Sequence, residues 1–87
     1  VRDVQGTVSS LRLDSVLSAG IGVSRSKAAD LIRGGLVTVN WEPVQDVSAS
    51  LREGDVISVR GHGRMKLSQI GGLTRKNRYS ITVSRYV

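Results

Sequence analysis

Residues 24–39 read SRSKAADLIRGGLVTV, and the change of pattern within this stretch decides the fold. Ser24 is a favourable N-cap residue. The apolar residues Ala28, Leu31 and Ile32 recur at the i, i+3 and i+4 spacing of a single helix face. Two glycines then end the helical pattern, and the four residues after them are β-formers. The stretch therefore predicts a helix that is followed directly by a strand.

A second helix is predicted on the N-terminal side of this stretch. Its inward face comprises Leu13, Val16 and Leu17 at helical spacing, and Ser9 or Ser10 is expected to cap its start. The residues expected to end it are Ala19, Gly20 and Gly22.

The C-terminal half has the short alternating runs of a sheet. The strands predicted there span residues 36–39, 44–47, 56–59, 64–70 and 79–87. The order of helix, helix and then strands indicates an α+β fold. We expect a two-helix hairpin packed on a small, mainly antiparallel sheet.

The length of 87 residues leaves room for one compact domain. Residues 1–10 are polar and lack periodicity, so they are expected to be a leader or linker. Residues 62–87 are expected to form a basic β extension of the domain. Because the chain begins with Val1 rather than Met, we expect a domain excised from a longer protein or a processed start.

Charge is distributed unevenly along the chain, whose net charge is +6. Residues 1–59 contain six basic and seven acidic side chains, whereas residues 60–87 contain seven basic side chains and no acid. Such a one-sided segment repels itself unless a polyanion or counterions neutralise it. This favours nucleic acid as a partner, and a soluble domain that is simply basic is the alternative.

The composition argues against enzymes, metal sites and membrane spans. There is no cysteine and a single histidine, His62, which lies between two glycines. General acid–base catalysis needs a partner group to position and tune the base, and a zinc site needs more ligands than this. No apolar run has the length of a membrane span. We therefore expect no catalysis, cofactor, metal or small-molecule substrate, and an exposed His62.

The start of the second helix is a candidate phosphate site. Free N–H groups and the helix dipole favour an anion there, and Ser24, Arg25, Ser26 and Lys27 supply two hydroxyls and two cations. Arg33, two turns later, extends the positive charge. An ordinary N-cap with solvated charges is the alternative, and the sequence alone does not decide between them.

Aromatic residues amount to only 3% of the chain, and they are Trp41, Tyr79 and Tyr86. Proteins that read single-stranded RNA usually stack bases on several aromatic side chains. Recognition of folded RNA through its backbone and shape is therefore expected instead. Trp41, in a tight turn after Asn40, is either an exposed contact or a cover of the core, and a place over the core or against the sheet is favoured.

Several separated blocks of the sequence match one known pattern. The blocks are Arg12-Leu13-Asp14, Leu17, Ser24-Arg25-Ser26, Ala28, Leu31-Ile32, Gly35, Val37, Val39-Asn40, Gly54-Asp55-Val56-Ile57 and Arg60. Together they resemble the S4-type RNA-binding domain, or alpha-L motif, over residues 11–61. The same domain occurs in ribosomal protein S4, pseudouridine synthases and bacterial tyrosyl-tRNA synthetases. The subgroup of photosystem II S4 domain proteins and their relatives from bacterial cell-division gene clusters is the most similar.

The resemblance implies binding to structured RNA, namely ribosomal RNA of the large subunit and also tRNA, by a ribosome-associated monomer. It implies a location in the bacterial or cyanobacterial cytoplasm, or in the plastid stroma. The residues that it places on the RNA face are Arg12, Ser24, Arg25, Ser26, Lys27, Arg33 and Asn40. The basic extension adds Arg60, Arg64, Lys66, Arg75, Lys76 and Arg78. The family pattern also implies that Asp14 helps to start the first helix and that Asp55 fixes a turn.

Two other functions are compatible with the sequence. Residues 12–33 resemble a helix-turn-helix followed by a wing, which would bind duplex DNA. The terminal strand, residues 79–87, could instead pair with the sheet edge of a protein partner.

Overall fold

Two helices pack on one face of a six-stranded antiparallel sheet. The computed structural model of the protein describes residues 1–86. The elements in chain order are β1 (Arg2–Val8), α1 (Leu13–Ile21), α2 (Arg25–Arg33), β2 (Val37–Val39), β3 (Glu42–Pro43), β4 (Val56–Val59), β5 (Gly63–Leu73) and β6 (Tyr79–Tyr86). The strand order across the sheet is β1-β6-β5-β4-β2-β3. The predicted α+β class, with a helical hairpin on an antiparallel sheet, is confirmed.

The core lies between the helices and the sheet, and the apolar stripes predicted for both helices face it. Leu13, Val16 and Leu17 of α1 are fully buried, and so is Ile32 of α2. The buried residues that the sheet contributes are Val8, Val37, Ile57, Val59, Met65, Leu67, Ile81 and Val83. Full burial of one such aliphatic side chain contributes about 1.5–3 kcal/mol, so this layer holds the helices in place.

The start of α1 differs from the prediction. Its N-cap residue is Arg12, whose side chain makes no capping hydrogen bond, and not Ser9 or Ser10. The free N–H groups of Leu13 and Asp14 instead donate to backbone carbonyls of residues 49 and 47, at 2.8 and 3.1 Å. Helix ends need partners for such groups, and here a distant loop provides them.

That loop replaces the strand that the sequence predicted at residues 44–47. β2 and β3 form a hairpin, and β3 comprises only Glu42 and Pro43. Residues 44–49 then lie outside the strands, and the carbonyls of residues 47 and 49 accept hydrogen bonds from the start of α1. The strand prediction at this place was therefore wrong.

Gly22 caps the end of α1 as predicted, but the helix continues through Gly20 to Ile21. A Cβ atom at Gly20 would lie 2.7 Å from Sδ of Met65 and 3.3 Å from a methyl group of Val83. Real Cβ atoms do not approach other atoms so closely. Gly20 is therefore the residue that lets α1 lie close to the sheet.

Residues 2–8 form strand β1, where the sequence suggested a leader. β1 pairs with β6 in the register from Arg2↔Arg85 to Val8↔Tyr79. The strand signal in the sequence is weak because Gly6 stands at one of the inward positions, between Val4 and Val8. β1 covers β6, which therefore lies inside the sheet and not at its edge.

β5 and β6 form the long hairpin that contains most of the basic extension. The predicted strand over residues 64–70 is longer in the structure, because β5 continues through Gly71 and Gly72, next to register shifts that bend the strand. Because β5 spans 11 residues, the hairpin separates its cations. Arg75, Lys76 and Arg78 lie at or beside its tip, whereas Arg60, Arg64 and Lys66 lie near its other end.

Candidate nucleic-acid interface

The N-terminus of α2 is built as the sequence predicted. Ser24 Oγ accepts a hydrogen bond from the backbone N–H of Lys27 at 3.1 Å. Arg25 points towards α1, where it binds Asp14. Because successive residues of a helix are turned by about 100°, Lys27 lies roughly 200° and Arg33 roughly 80° around the helix from Arg25. All three are exposed. The cations of α2 therefore do not form one continuous face: Arg25 belongs to the contact between the helices, and Lys27 points away from that contact.

Arg12 and Arg25 share one carboxylate. Arg12 Nε and Nη2 donate to the two oxygens of Asp14, both at 3.1 Å, and Arg25 Nη2 donates to Oδ2 at 3.0 Å. The Asp14 side chain is only 7% exposed, whereas those of Arg12 and Arg25 are 41% and 52% exposed. Asp14 thus holds two arginines while both keep a surface for a further partner. We call these three residues the Asp14 clasp.

The Asp14 clasp keeps the carboxylate charged. Burial raises the pKa of Asp14, but the hydrogen bond and charge of Arg25, with those of Arg12, outweigh it and lower the pKa below its ordinary value of 3.8. Asp14 also accepts a hydrogen bond from the N–H of Ser15 at 2.8 Å. The family resemblance implied that Asp14 helps to start the first helix, and this bond in its first turn confirms it.

A cavity of about 310 Å³ lies beside the clasp. Arg25 lines it from α2 and Arg78 lines it from the β5–β6 hairpin. Arg78 is held by Thr7 of β1, because its Nε donates to Oγ1 at 3.2 Å and its Nη2 donates to the backbone carbonyl at 3.1 Å. Both arginines are exposed. The fold thus brings together two cations that are distant in sequence.

Ser15 adds a hydroxyl to this cavity. Ser15 is only 5% exposed, and within residues 1–86 its Oγ is the buried side-chain polar atom that has no hydrogen-bond partner. A buried polar group normally has one. Ser15 and Thr7 are not among the residues predicted for the site, because their place beside Arg78 depends on how β1 and the hairpin pack.

The remaining predicted cations do not all share this surface. In the sheet register Arg64 pairs with Ser58 and Lys66 pairs with Val56. Paired residues point to the same side of a sheet, and the intervening Met65 is buried beneath the helices. Arg64 and Lys66 therefore lie on the outer sheet face, away from the helices. Arg75 and Lys76 lie in the hairpin loop beside Arg78.

Asn40 uses its side chain inside the protein. Its Nδ2 donates to Oδ1 of Asp55 at 3.1 Å, and its Oδ1 accepts from the N–H of Val56 at 3.0 Å. Oδ2 of Asp55 accepts from the N–H of Arg52 at 2.8 Å. The expectation that Asp55 fixes the turn before β4 is therefore confirmed, and Asn40 connects that turn to β2.

Trp41 does not cover the core, so the favoured expectation was wrong, and the alternative of an exposed residue is the one observed. The side chain is 66% exposed. The residue follows Asn40 in the β2–β3 turn, where both have positive φ angles of 50° and 66°. That conformation directs the indole away from the core.

Residues 1–86 contain no group of three or more His, Asp or Glu side chains arranged to hold a metal ion. His62 is exposed in the turn between β4 and β5, as predicted. None of the helices in this range is long and apolar enough to cross a bilayer.

Comparison with known proteins defines the family. The family model of the S4 domain matches residues 11–57, which is more than half of the chain. The chain belongs to the S4 domain family. The matched residues of this S4 domain include both helices and the Asp14 clasp, and they agree with the predicted span of residues 11–61.

Two curated relatives and one solved structure show where similar S4 domains occur. The S4 domain is 47% identical over 79 residues to ribosome-associated protein quality control protein P2 of Bacillus subtilis, covering 91% of this chain and 31% of that protein. It is 46% identical over 50 residues to the chloroplastic RNA pseudouridine synthase 2 of rice, covering 54% of this chain and 11% of that protein. A crystal structure of a pseudouridylate synthase has a TM-score of 0.57 and 26% identity, covering 74% of this chain and 30% of that one.

The chain therefore spans about a third, or less, of the length of these proteins. Membership of the S4 family and a ribosome-associated relative support an RNA-binding role. The S4 domain is a binding module, and the likeness to pseudouridine synthases is limited to their S4 part. The family match ends at residue 57, so Arg78 lies outside it, although the alignment with the Bacillus protein covers 91% of the chain.

Proposed function

We propose that this S4 domain binds structured RNA by gripping phosphates between its helices and the β5–β6 hairpin. The observation that carries the proposal is the cavity in which Arg25 of α2 meets Arg78 of the hairpin. Two exposed guanidinium groups beside a concave surface suit the phosphates of a folded nucleic acid. Lys27, Arg75 and Lys76 extend the positive surface on either side.

The two arginines are positioned before RNA arrives. Asp14 holds Arg25, and Thr7 holds Arg78. A side chain that is already ordered loses less conformational entropy on binding. Contacts to the phosphates of RNA fix the position of the domain on the RNA, but they do not read the base sequence. We therefore expect the domain to recognise the shape of folded RNA.

Ribosomal RNA of the large subunit is the proposed target, with tRNA as a second one. Support comes from the alignment with a ribosome-associated protein over 91% of this chain. We propose that the domain acts in the cytoplasm, as a monomer and without catalysis or a cofactor. A plastid location remains a prediction of the family resemblance.

Two single substitutions test the proposed site. Arg25→Ala and Arg78→Ala should each weaken binding to a folded ribosomal RNA fragment by about tenfold, since a charged hydrogen bond contributes about 1.5–3 kcal/mol. Arg2→Ala is the matched control, because it removes the same charge from the opposite end of β1. Circular dichroism would show that all three remain folded. If Arg25→Ala binds as the wild type does, Arg25 is not part of the site.

Competition separates RNA from duplex DNA. The wide, shallow minor groove of A-form RNA presents both phosphates and 2′-hydroxyls, which B-form DNA does not. Unlabelled folded RNA should displace a bound RNA probe, and the same concentration of duplex DNA should not. Equal displacement would favour the helix-turn-helix alternative.

The other alternative, strand addition at the C-terminal strand, does not fit the fold. β6 is paired with β1 on one side and with β5 on the other. Over the described residues 79–86, this strand therefore has no free edge for a partner. The final residue of that prediction, Val87, lies outside the described residues.

A further inference from the structure

Trp41 lies on the outer sheet face, away from the helices. The cations near it do not line the cavity that contains Arg25 and Arg78, which we call the helix-side cavity. Trp41, Val56, Arg64 and Tyr86 line one recess of about 170 Å³. In the sheet register Arg64 pairs with Tyr86, so both side chains are on the face away from the helices. The recess therefore has two aromatic side chains and one guanidinium group.

The exposure of Trp41 has no explanation in the stability of the domain. The indole is 66% exposed, and Tyr86 is 44% exposed. The guanidinium carbon of Arg64 lies 5.9 Å from the centroid of the Trp41 ring, which is close to the limit for a cation–π contact. An aromatic ring left in water loses the free energy that its burial would provide.

The backbone at Trp41 is also unfavourable for this residue. Two consecutive positive φ angles, at Asn40 and Trp41, are typical of a type I′ hairpin turn. Asn is well suited to the first position, and Gly is the residue preferred at the second. A bulky residue with positive φ is an outlier. A strained residue in an exposed position indicates that function selects the side chain.

We propose that Trp41 stacks on an unpaired base of the RNA that the helix-side surface binds. This rests on the proposed function and adds a second contact, on the other face of the sheet. Bases stack on indole rings and on guanidinium planes, and Arg64 and Tyr86 adjoin the ring. Arg60 lines a further recess with Arg64 and Tyr86, and Lys66 pairs with Val56 in the sheet, so both cations would meet the flanking phosphates.

The chain supplies its own probe, because Trp41 is its single tryptophan. We would titrate the full chain with two RNA hairpins that differ only by one unpaired nucleotide, and record indole fluorescence and the anisotropy of labelled RNA. A base stacked on the indole quenches its fluorescence. The hairpin with the unpaired nucleotide should quench the indole strongly, and the fully paired hairpin should bind without that quenching.

Three variants complete the test. Trp41→Ala should lose about tenfold in affinity for the hairpin with the unpaired nucleotide, as expected when one stacking partner is removed. Its affinity for the fully paired hairpin should not change. Trp41→Phe should keep most of the affinity. Trp41→Gly, which suits the backbone angle, should raise the melting temperature while it lowers affinity for the unpaired nucleotide.

Two results would overturn the inference: no selective quenching by the unpaired nucleotide, or equal affinities of Trp41→Ala and the wild type for that hairpin. An acidic protein segment as the true occupant would give both results. Failure of the proposed function is distinguishable, because it would abolish binding of the fully paired hairpin as well.

Discussion

At the scale of single residues, Asp14 has two effects on the surface that we assign to RNA. Its negative charge offsets part of the charge of Arg12 and Arg25, yet it also fixes the direction of both guanidinium groups. An exposed ion pair contributes little to stability, but this carboxylate is nearly buried. Its loss would leave the two arginines less ordered. Asp14 therefore connects the stability of α1 with the geometry of the binding surface.

Replacing Asp14 should destabilise the domain in a pH-dependent way. Asp14→Asn should lower the free energy of unfolding by about 1–3 kcal/mol at neutral pH, because charged hydrogen bonds are lost. The pKa of Asp14 is lowered in the folded state, so its stabilisation is complete above the ordinary value of 3.8. It disappears as the pH falls through the folded pKa. Denaturant unfolding at several pH values would measure both effects.

Asp30→Asn is the control for this prediction, since Asp30 is an exposed acid of α2 that forms no ion pair within residues 1–86. It should change stability by less than about 0.5 kcal/mol. A difference between wild type and Asp14→Asn that stays constant into strong acid would show that the charge of Asp14 is not the cause.

Asn40 provides a second prediction at this scale. Asn40→Gly keeps a residue that accepts a positive φ angle but removes the hydrogen bonds to Asp55 and Val56. We expect a loss of about 1–3 kcal/mol in the free energy of unfolding, and little change in RNA affinity at a temperature where both proteins are folded. Thermal unfolding and RNA titration would check this. A large loss of affinity at unchanged stability would make Asn40 a direct RNA contact.

Residue-level prediction from sequence succeeded where the cause is local. Ser24 caps α2 through a neighbour three residues away, and such bonds follow from short-range patterns. The arrangement of Arg78 has no local signal, because its partner Thr7 is 71 positions away. Trp41 was misplaced for a different reason. Hydrophobicity favours burial, and the positive φ angle that turns the ring outwards was not visible in the sequence.

At the scale of secondary-structure elements, β1 has an importance that its sequence does not suggest. It closes one side of β6 along seven residue pairs and supplies Val8 to the core. It also supplies Thr7, which anchors Arg78. A strand that covers a neighbour removes an edge that could pair with another chain. β1 therefore contributes to stability, to solubility and to the proposed RNA site.

Thr7→Val tests the contribution of β1 to the proposed RNA site. Valine keeps the shape and β-propensity of threonine but removes the hydroxyl that accepts from Arg78 Nε. We expect a loss of about 0.5–1.5 kcal/mol in stability, typical of one hydrogen bond, and RNA affinity lower than that of the wild type but higher than that of Arg78→Ala. Removing residues 1–8 altogether should destabilise the domain far more. Wild-type RNA affinity in Thr7→Val would show that the anchoring of Arg78 is unimportant for binding.

The elements themselves were predicted with mixed success, and the reasons are physical. α2 and β4 have strong periodicity and clear ends, and both were found as expected. The start of α1 was misplaced because its capping carbonyls come from residues 47 and 49. The same carbonyls explain why residues 44–47 do not form a strand. Tertiary hydrogen bonds outweighed local preference in both places.

At the scale of the whole molecule, the uneven charge of the sequence becomes two separate basic surfaces. The molecule measures 35 Å along its longest axis, and β5 and β6 lie inside the sheet. The tip of the β5–β6 hairpin and the N-terminus of α2 both line the helix-side cavity. The other end of that hairpin lies beside the β2–β3 turn. The net charge predicted a polyanion as partner. It did not predict that the cations would be divided between two surfaces.

The salt dependence of the binding constant is the sharpest test of whether RNA phosphates bind in the cavity lined by Arg25 and Arg78. The slope of log K against log salt concentration for a folded ribosomal RNA fragment should be negative, with a magnitude of about 0.7–0.9 for each phosphate neutralised. Replacing both Arg25 and Arg78 by alanine should reduce that magnitude by roughly twice this value, whereas Arg2→Ala should leave it unchanged. A binding constant that does not vary with salt, or the same slope in all three proteins, would contradict the claim that this cavity holds RNA phosphates.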